Sequence, residues 1–325
     1  MQNFWITFTL ASLLALSFSH AVEAGGVTFG SGANTFNMEF VEIGSPGNAD
    51  DTTGNPNPAG KVDYTYQMGK FEVSEDMITK FNASQSLTIT KDTRGTDKPA
   101  TSVSWNEAAR FVNWLNTSQG FQAAYNFTTG GVNDNISLWS SANAWQLGGE
   151  NLFRHKDARY WLPSMDEWYK AAYYDPNTST YFNFPTGSNT APTAVASGTA
   201  AGTAVYDQTF GTGPADITQA GGLSPFGIMG LGGNVFEWEE TTFNLANGSG
   251  SSSRGVRGGS WSHGNPHVLS VSGRLSISPA DENFNVGFRV ASLSSTAAVP
   301  EPGSFALWLT GLAGLGWYKR KRLRK

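Results

Sequence analysis

Apolar and polar positions alternate along residues 27–43, with Phe36, Met38, Phe40, Val41 and Ile43 as the apolar set. A period of two marks half-buried strands, so this segment predicts strands. Residues 45–60 break the pattern with Gly, Pro, Asn and Asp and read as a loop. Residues 64–73 predict a further strand, and a helix follows from about Glu75 with Ser74 as its N-cap. The period then changes. Ala108, Phe111, Val112 and Leu115 fall at i, i+3, i+4 and i+7, one buried helical stripe, and Ser104 with Glu107 forms a capping box at its start. A third helix repeats the device: Ser164 and Glu167 make the box, Trp168, Ala171 and Ala172 face inward, and Asp175-Pro176 ends it. Residues 186–204, rich in Ala, Thr, Gly and Ser, predict an exposed loop. No internal repeat stands out. Few helices, short strands and long loops predict an α+β domain of irregular architecture.

The two ends follow another logic. Residues 4–18 form an apolar stretch of signal-peptide length, followed by small residues suited to a signal-peptidase site, with Val22 and Ala24 or Ser19 and Ala21 as alternatives. The stretch lacks a preceding Lys or Arg. Residues 1–24 are read as a signal peptide. At the other end, Pro300-Glu301-Pro302 precedes an uncharged apolar run, residues 303–318, and a tail with six basic residues in seven, 319–325. Proline keeps the tripeptide extended. The run is roughly 24 Å long as a helix, just short of a bilayer span. The basic cluster stays cytoplasmic, so everything before the run faces away. Residues 299–325 resemble the PEP-CTERM sorting signal of bacterial envelope proteins, which an exosortase recognises and removes. The plainer reading is a short membrane anchor.

Between these ends, residues 25–298 have the length of one large domain or two small ones. The chain has 21 basic and 26 acidic residues. Six basic residues fall in the tail, and Glu23 and Glu301 lie outside the domain, which leaves 15 basic against 24 acidic, a net charge of −9. Such a surface does not suit a phosphate backbone, so nucleic acid is excluded as a partner. There is no cysteine. That removes thiol chemistry and every Cys-ligated metal. With 38 glycines and 13% aromatic residues, the composition suggests tight turns clamped by large side chains.

Six blocks run through this domain in order. They are Tyr66-Gln67-Met68-Gly69-Lys70-Phe71-Glu72-Val73-Ser74; residues 99–115, with Val103-Ser104-Trp105 and Trp114-Leu115; and Tyr160-Trp161-Leu162-Pro163-Ser164 leading to Glu167-Trp168 and Ala171-Ala172. Then come residues 227–238, with Gly232-Gly233-Asn234-Val235-Phe236-Glu237-Trp238; Val256-Arg257-Gly258-Gly259-Ser260-Trp261; and Val286-Gly287-Phe288-Arg289-Val290. Together they resemble the sulfatase-modifying-factor, or formylglycine-generating-enzyme-like, domain, across residues 37–292. The resemblance implies an irregular variant of the C-type lectin-like fold. Read from the residues, Gly258-Gly259 allows close backbone approach before Trp261, and Arg257 and Arg289, each flanked by apolar residues, are structural ion-pair partners rather than catalytic groups.

The resemblance also implies structural calcium. Glu237 would hold one ion with the carbonyls of Gly233 and Val235, although Gly230 stands where catalytic members carry an asparagine ligand. Asn183 and Asp207 would hold a second, with carbonyls near Phe184 and Thr209. Oxygen ligands in irregular loops suit Ca²⁺. The other reading of Glu237 is an ion pair with a buried arginine. Formylglycine generation needs two copper-binding cysteines, so copper is not expected here. The helical domain that carries the iron ligands of related sulfoxide synthases is absent too. His263 and His267 lie four apart after Trp261, but Gly264 and Pro266 prevent helical convergence on a metal. They are read as a metal pair only if the loop folds them together, and otherwise as solvated histidines. No catalytic set stands out.

Two functions follow. One is an exported, non-catalytic, lectin-like binding or structural module of the cell envelope, processed by signal peptidase and exosortase. Its partner would be a polysaccharide or an envelope protein, in the exopolysaccharide or biofilm context that the sorting signal implies. The alternative is a divergent, cysteine-free enzyme of the formylglycine-generating or non-haem iron oxidase superfamily. The tripartite ending makes processing testable. Mature protein from the envelope or medium is expected to lack both ends, with a cut close to Pro300-Glu301-Pro302; an intact mass that retains Trp317 to Lys325 would overturn this.

Overall fold

The structure is a computed structural model and describes residues 25–294. Its elements in chain order are β1 (Gly25–Phe29), β2 (Phe36–Ile43), β3 (Tyr66–Gly69), α1 (Glu75–Ser84), α2 (Trp105–Ser118), β4 (Ala144–Trp145), β5 (Asn151–His155), β6 (Tyr160–Trp161) and α3 (Met165–Tyr173). There follow β7 (Tyr174–Asp175), β8 (Thr180–Tyr181), β9 (Thr193–Val195), β10 (Thr203–Val205), β11 (Phe236–Thr242), β12 (Arg254–Arg257), β13 (Leu275–Ile277), β14 (Val286–Gly287) and β15 (Ala291–Leu293).

Two sheets organise the core. The first has the order β1-β2-β3-β15-β6 and is antiparallel throughout. The alternation in β2 places Phe36, Met38 and Phe40 in the core, while Asn37 and Glu39 face solvent. Against this face lies α2, where Phe111 stacks on Phe36 at 6.1 Å between ring centroids. The stripe expected from spacing is fully buried: Ala108, Phe111, Val112 and Leu115. The second sheet has the order β13-β12-β11-β14, with β11 and β14 parallel.

All three helices start where their caps say. The Ser74 side chain accepts from the Met77 amide, and Ser104 and Ser164 both form complete capping boxes with Glu107 and Glu167. Glu107 does more than cap. Its second oxygen accepts the Thr90 amide at 2.7 Å and so fastens the loop between α1 and α2 to the helix start. Helix α3 ends before Asp175-Pro176 because proline has no amide to continue the ladder.

Two expectations change. The strand expected over residues 64–73 pairs only over β3, and the chain turns once Gly69 and Lys70 have donated to Val290 and Glu39. The exposed loop expected over residues 186–204 instead contains β9, which pairs in parallel with β10. Val205 packs with Val235 and Trp261, so two short Thr-Ala-Val segments carry a small core that composition hid. Strand β11 shows no alternation at all: Phe236, Glu237, Trp238, Glu239 and Glu240 are all buried.

The capping serine of α2 also donates to Asn133, 2.8 Å away. Ser104→Ala is expected to lower unfolding stability by about 1–2 kcal/mol in urea titration, the usual cost of losing such a cap.

Candidate functional site

Three glutamates on β11 cannot stay charged in a core without cations, and each has one. Glu237 takes Arg289 through Nε at 2.6 Å and Nη2 at 2.5 Å, and the Trp168 indole donates to it at 2.7 Å. Glu239 takes Arg257 at 2.7 Å and Arg274 at 2.8 Å. Glu240 shares Arg154 with Glu167 of α3. Arg154 lies over the faces of Trp145 and Trp161, at 4.9 and 4.3 Å. Charge-assisted, forked bonds of this kind fix orientation as well as charge. The ion-pair role expected for Arg257 and Arg289 is found.

The turn before β11 adds a fourth carboxylate. Asn234 sits at φ 59° and holds two partners: its Oδ1 accepts the Ala215 amide, and its Nδ2 donates to both oxygens of Glu72, at 3.0 and 3.1 Å. Among the described residues, no cation lies in hydrogen-bond contact with Glu72. Burial, and then the charge of Glu237, push its pKa up to about 8. A side chain at Gly230 would collide with this carboxyl, since a Cβ there falls 2.8 Å from Glu72 Oε1.

Glu237 therefore settles on the arginine side of its two readings. Three N–H donors occupy its carboxylate, and a calcium ion there would have to displace Arg289 or face its charge. The residues do not fit a cation at this position. Asn183 and Asp207 are both exposed. The Asn183 amide donates to Asn189 and its carbonyl accepts Val271, while the Asp207 amide donates to the His263 carbonyl. Among the described residues, no three His, Cys, Asp or Glu side chains form a group able to hold a metal ion. His263 and His267 are not brought together by a shared partner. His263 Nδ1 lies 2.8 Å from Ser260 Oγ, its ring meets Phe236 edge-on at 5.0 Å, and burial lowers its pKa. His267 sits in a single 3-10 turn, Pro266–Leu269. The Ser260–His263 contact has the reach of a nucleophile–base pair, but Ser260 is fully buried, so no substrate carbonyl can approach its oxygen.

Above the Trp261 loop lies a surface that the sequence did not point to. Gly258 and Gly259 have φ 93° and 78°, and a Cβ at Gly259 would meet Leu269 at 2.8 Å, so only glycine lets the backbone pass. Trp261 then enters the core, with the Arg94 guanidinium 4.9 Å over its ring. Phe284 and Phe210 form an exposed ledge over it, 5.0 Å apart and 40% and 66% exposed.

The signal peptide, Pro300, Glu301, Pro302 and the apolar run 303–318 lie outside the described residues. Among the described residues, no helix is long and apolar enough to cross a membrane.

Comparison with known proteins places this architecture. Residues 17–293 match the sulfatase-modifying factor enzyme 1-like domain. No curated protein sequence matches the chain. Among solved structures, Treponema denticola variable protein 1 superposes with a TM-score of 0.56 at 20% identity, over 83% of this chain and 99% of that one. CarF gives 0.54 at 16% identity, over 79% and 98%. PvdO from Pseudomonas aeruginosa gives 0.52 at 17% identity, over 83% and 98%. At these identities the likeness shows the fold alone.

Two outcomes follow from the buried carboxylates. Glu237→Ala strands Arg289 and is expected to cost about 3–5 kcal/mol. The loss should be equal in calcium and in chelator; thermal unfolding in both conditions checks it, and a loss seen only in calcium would restore the metal role. Glu72 holds a proton in the folded state that the unfolded chain releases at lower pH. Its contribution is therefore full below about 4.5 and is lost as pH rises towards about 8. Glu72→Gln keeps an acceptor for Asn234 and should flatten the fall in stability between pH 5 and 8, read by urea unfolding across that range.

Proposed function

The chain belongs to the sulfatase-modifying factor enzyme 1-like family, and from that premise we propose that it is a non-catalytic, lectin-like binding module exported to the cell envelope. One observation carries the reading: Glu237, Glu239 and Glu240, the acidic residues at the centre of the domain, are saturated by Arg289, Arg257, Arg274 and Arg154. Each of these three carboxylates is held by at least one guanidinium. The chain also lacks cysteine, and with it the thiolate pair that formylglycine generation requires. A fold shared with catalytic relatives does not by itself transfer their chemistry.

The rest of the proposal leans on sequence features at the ends. The apolar leader supports export. The Pro300-Glu301-Pro302 motif, short apolar run and basic tail support sorting by an exosortase and a role among exopolysaccharides. The α+β organisation around irregular loops is compatible with a C-type lectin-like fold, in which loops present the binding surface.

A direct assay separates this reading from the enzymatic one. Co-expression with a sulfatase-motif peptide is expected to leave the target thiol intact by mass spectrometry. Conversion above an empty-vector control would overturn the non-catalytic reading.

A further inference from the structure

A cleft of about 430 Å³ opens on the side of the domain formed by the start of α3, the segment before β3, the β4–β5 turn and the end of β11. It is distinct from the Trp261 loop and the Phe210–Phe284 ledge, none of whose residues line it. Four chain segments distant in sequence build it, so no motif marks it.

Its polar side chains have unused capacity of a particular kind. Ser164 Oγ accepts the Glu167 amide, and Thr241 Oγ1 accepts the Met165 amide. Each hydroxyl keeps its hydrogen to donate. Asn247 uses Oδ1 to accept the Thr242 amide, which leaves its NH₂ as a donor. Asp166 is the matching acceptor. Its Oδ1 accepts the Gly60 amide at 2.7 Å, and no cation lies within ion-pair distance of it among the described residues. Burial raises its pKa to about 6, with no cation beside it to oppose the shift, although part of its surface stays open to the cleft. Donors and an acceptor thus line one concavity together, which suits a ligand that presents many hydroxyls, each both donor and acceptor.

The walls supply the other half. Tyr64 and Trp145 line the cleft, and Leu147 and Leu245 stand at its mouth, 51% and 45% exposed. The two leucines offer apolar surface to the C–H face of a sugar ring, whereas Trp145 is only 3% exposed and has Arg154 over its own face. The charge decides among sugars. Asp63, Glu150 and Asp166 line the cleft together with Lys61, whose charge is paired with Asp63 at 3.5 Å. Arg154 also lines it, but its charge is matched by Glu167 and Glu240. An acidic sugar would meet net repulsion there.

We propose that this cleft binds a segment of a neutral or amine-bearing polysaccharide and rejects uronic-acid polymers. The assignment rests on the reading of the domain as a binding module, and it names both the site and the ligand class. No metal ion takes part.

The test is calorimetric titration of the purified full-length protein with the trimers of N-acetylglucosamine, glucosamine and galacturonic acid, with chelator present throughout. The first two are expected to bind and the third not to. Asp166→Asn keeps the acceptor for Gly60 and should weaken glucosamine trimer binding about tenfold or more, the scale of one charge-assisted hydrogen bond. Leu147→Ser with Leu245→Ser, at exposed positions that leave the core untouched, should weaken both binding trimers, while Phe210→Ser should change neither. Tighter binding of the galacturonic acid trimer would overturn the proposal. Binding indifferent to the Asp166 and leucine variants would overturn the cleft but leave the binding-module reading intact. Absence of binding to all three would overturn the ligand class, whereas the thiol-conversion assay decides the module reading independently.

Discussion

A strand that carries three glutamates through the middle of a protein is tolerable only if cations arrive with it. Transferring such charges out of water costs several kcal/mol each unless they are paired and hydrogen-bonded. Here Glu237, Glu239 and Glu240 draw in four arginines, and the arginines draw in the loops. Arg257 donates to the carbonyls of Asn55, Val271 and Gly273. Arg289 reaches Gly69 and Met229, and Arg274 reaches Thr242 and Phe243. Those carbonyls belong largely to irregular segments, whose buried polar groups would otherwise lack partners. The ion pairs are therefore less a source of net stability than the framework on which long loops take one conformation.

The same saturation shapes function. Guanidiniums occupy the oxygens of Glu237, Glu239 and Glu240, so these three carboxylates serve the fold, whereas Glu72 beside them meets only the Asn234 amide. In the proposed cleft, recognition would fall to polar groups that retain an unused hydrogen or lone pair, as Ser164, Thr241 and Asp166 do. The interior of this domain is fixed by charge pairing, and a shared fold does not by itself fix the chemistry of its loops.

The helices were legible in the sequence because their signals are local. Ser104 with Glu107 and Ser164 with Glu167 declare a helix start within four residues, and the stripe from Ala108 to Leu115 declares its buried face. Strand β2 was equally plain, since only one of its faces is buried. Strand β11 was not, because burial on both faces erases alternation, and Phe-Glu-Trp-Glu-Glu resembles a surface segment unless the distant arginines are known. The run of three acids among aromatic residues was the available signal for Glu239 and Glu240. For Glu237 the sequence left two readings open, and only the position of Arg289, 52 residues away, decided between them. The cleft and the Phe210–Phe284 ledge were illegible for a related reason: their parts come together only through tertiary packing.

The first sheet has one more property. Strand β15, the last of the described elements, does not lie at an edge; it fills the gap between β3 and β6 and is bonded on both sides. Until residues 291–293 are in place, β3 and β6 have no common neighbour, and the half of the sheet that carries β1 and β2 has no ladder to the half that carries β6. For a chain made from its N-terminus, the two halves of this sheet therefore share no ladder until the last of the described strands has been synthesised.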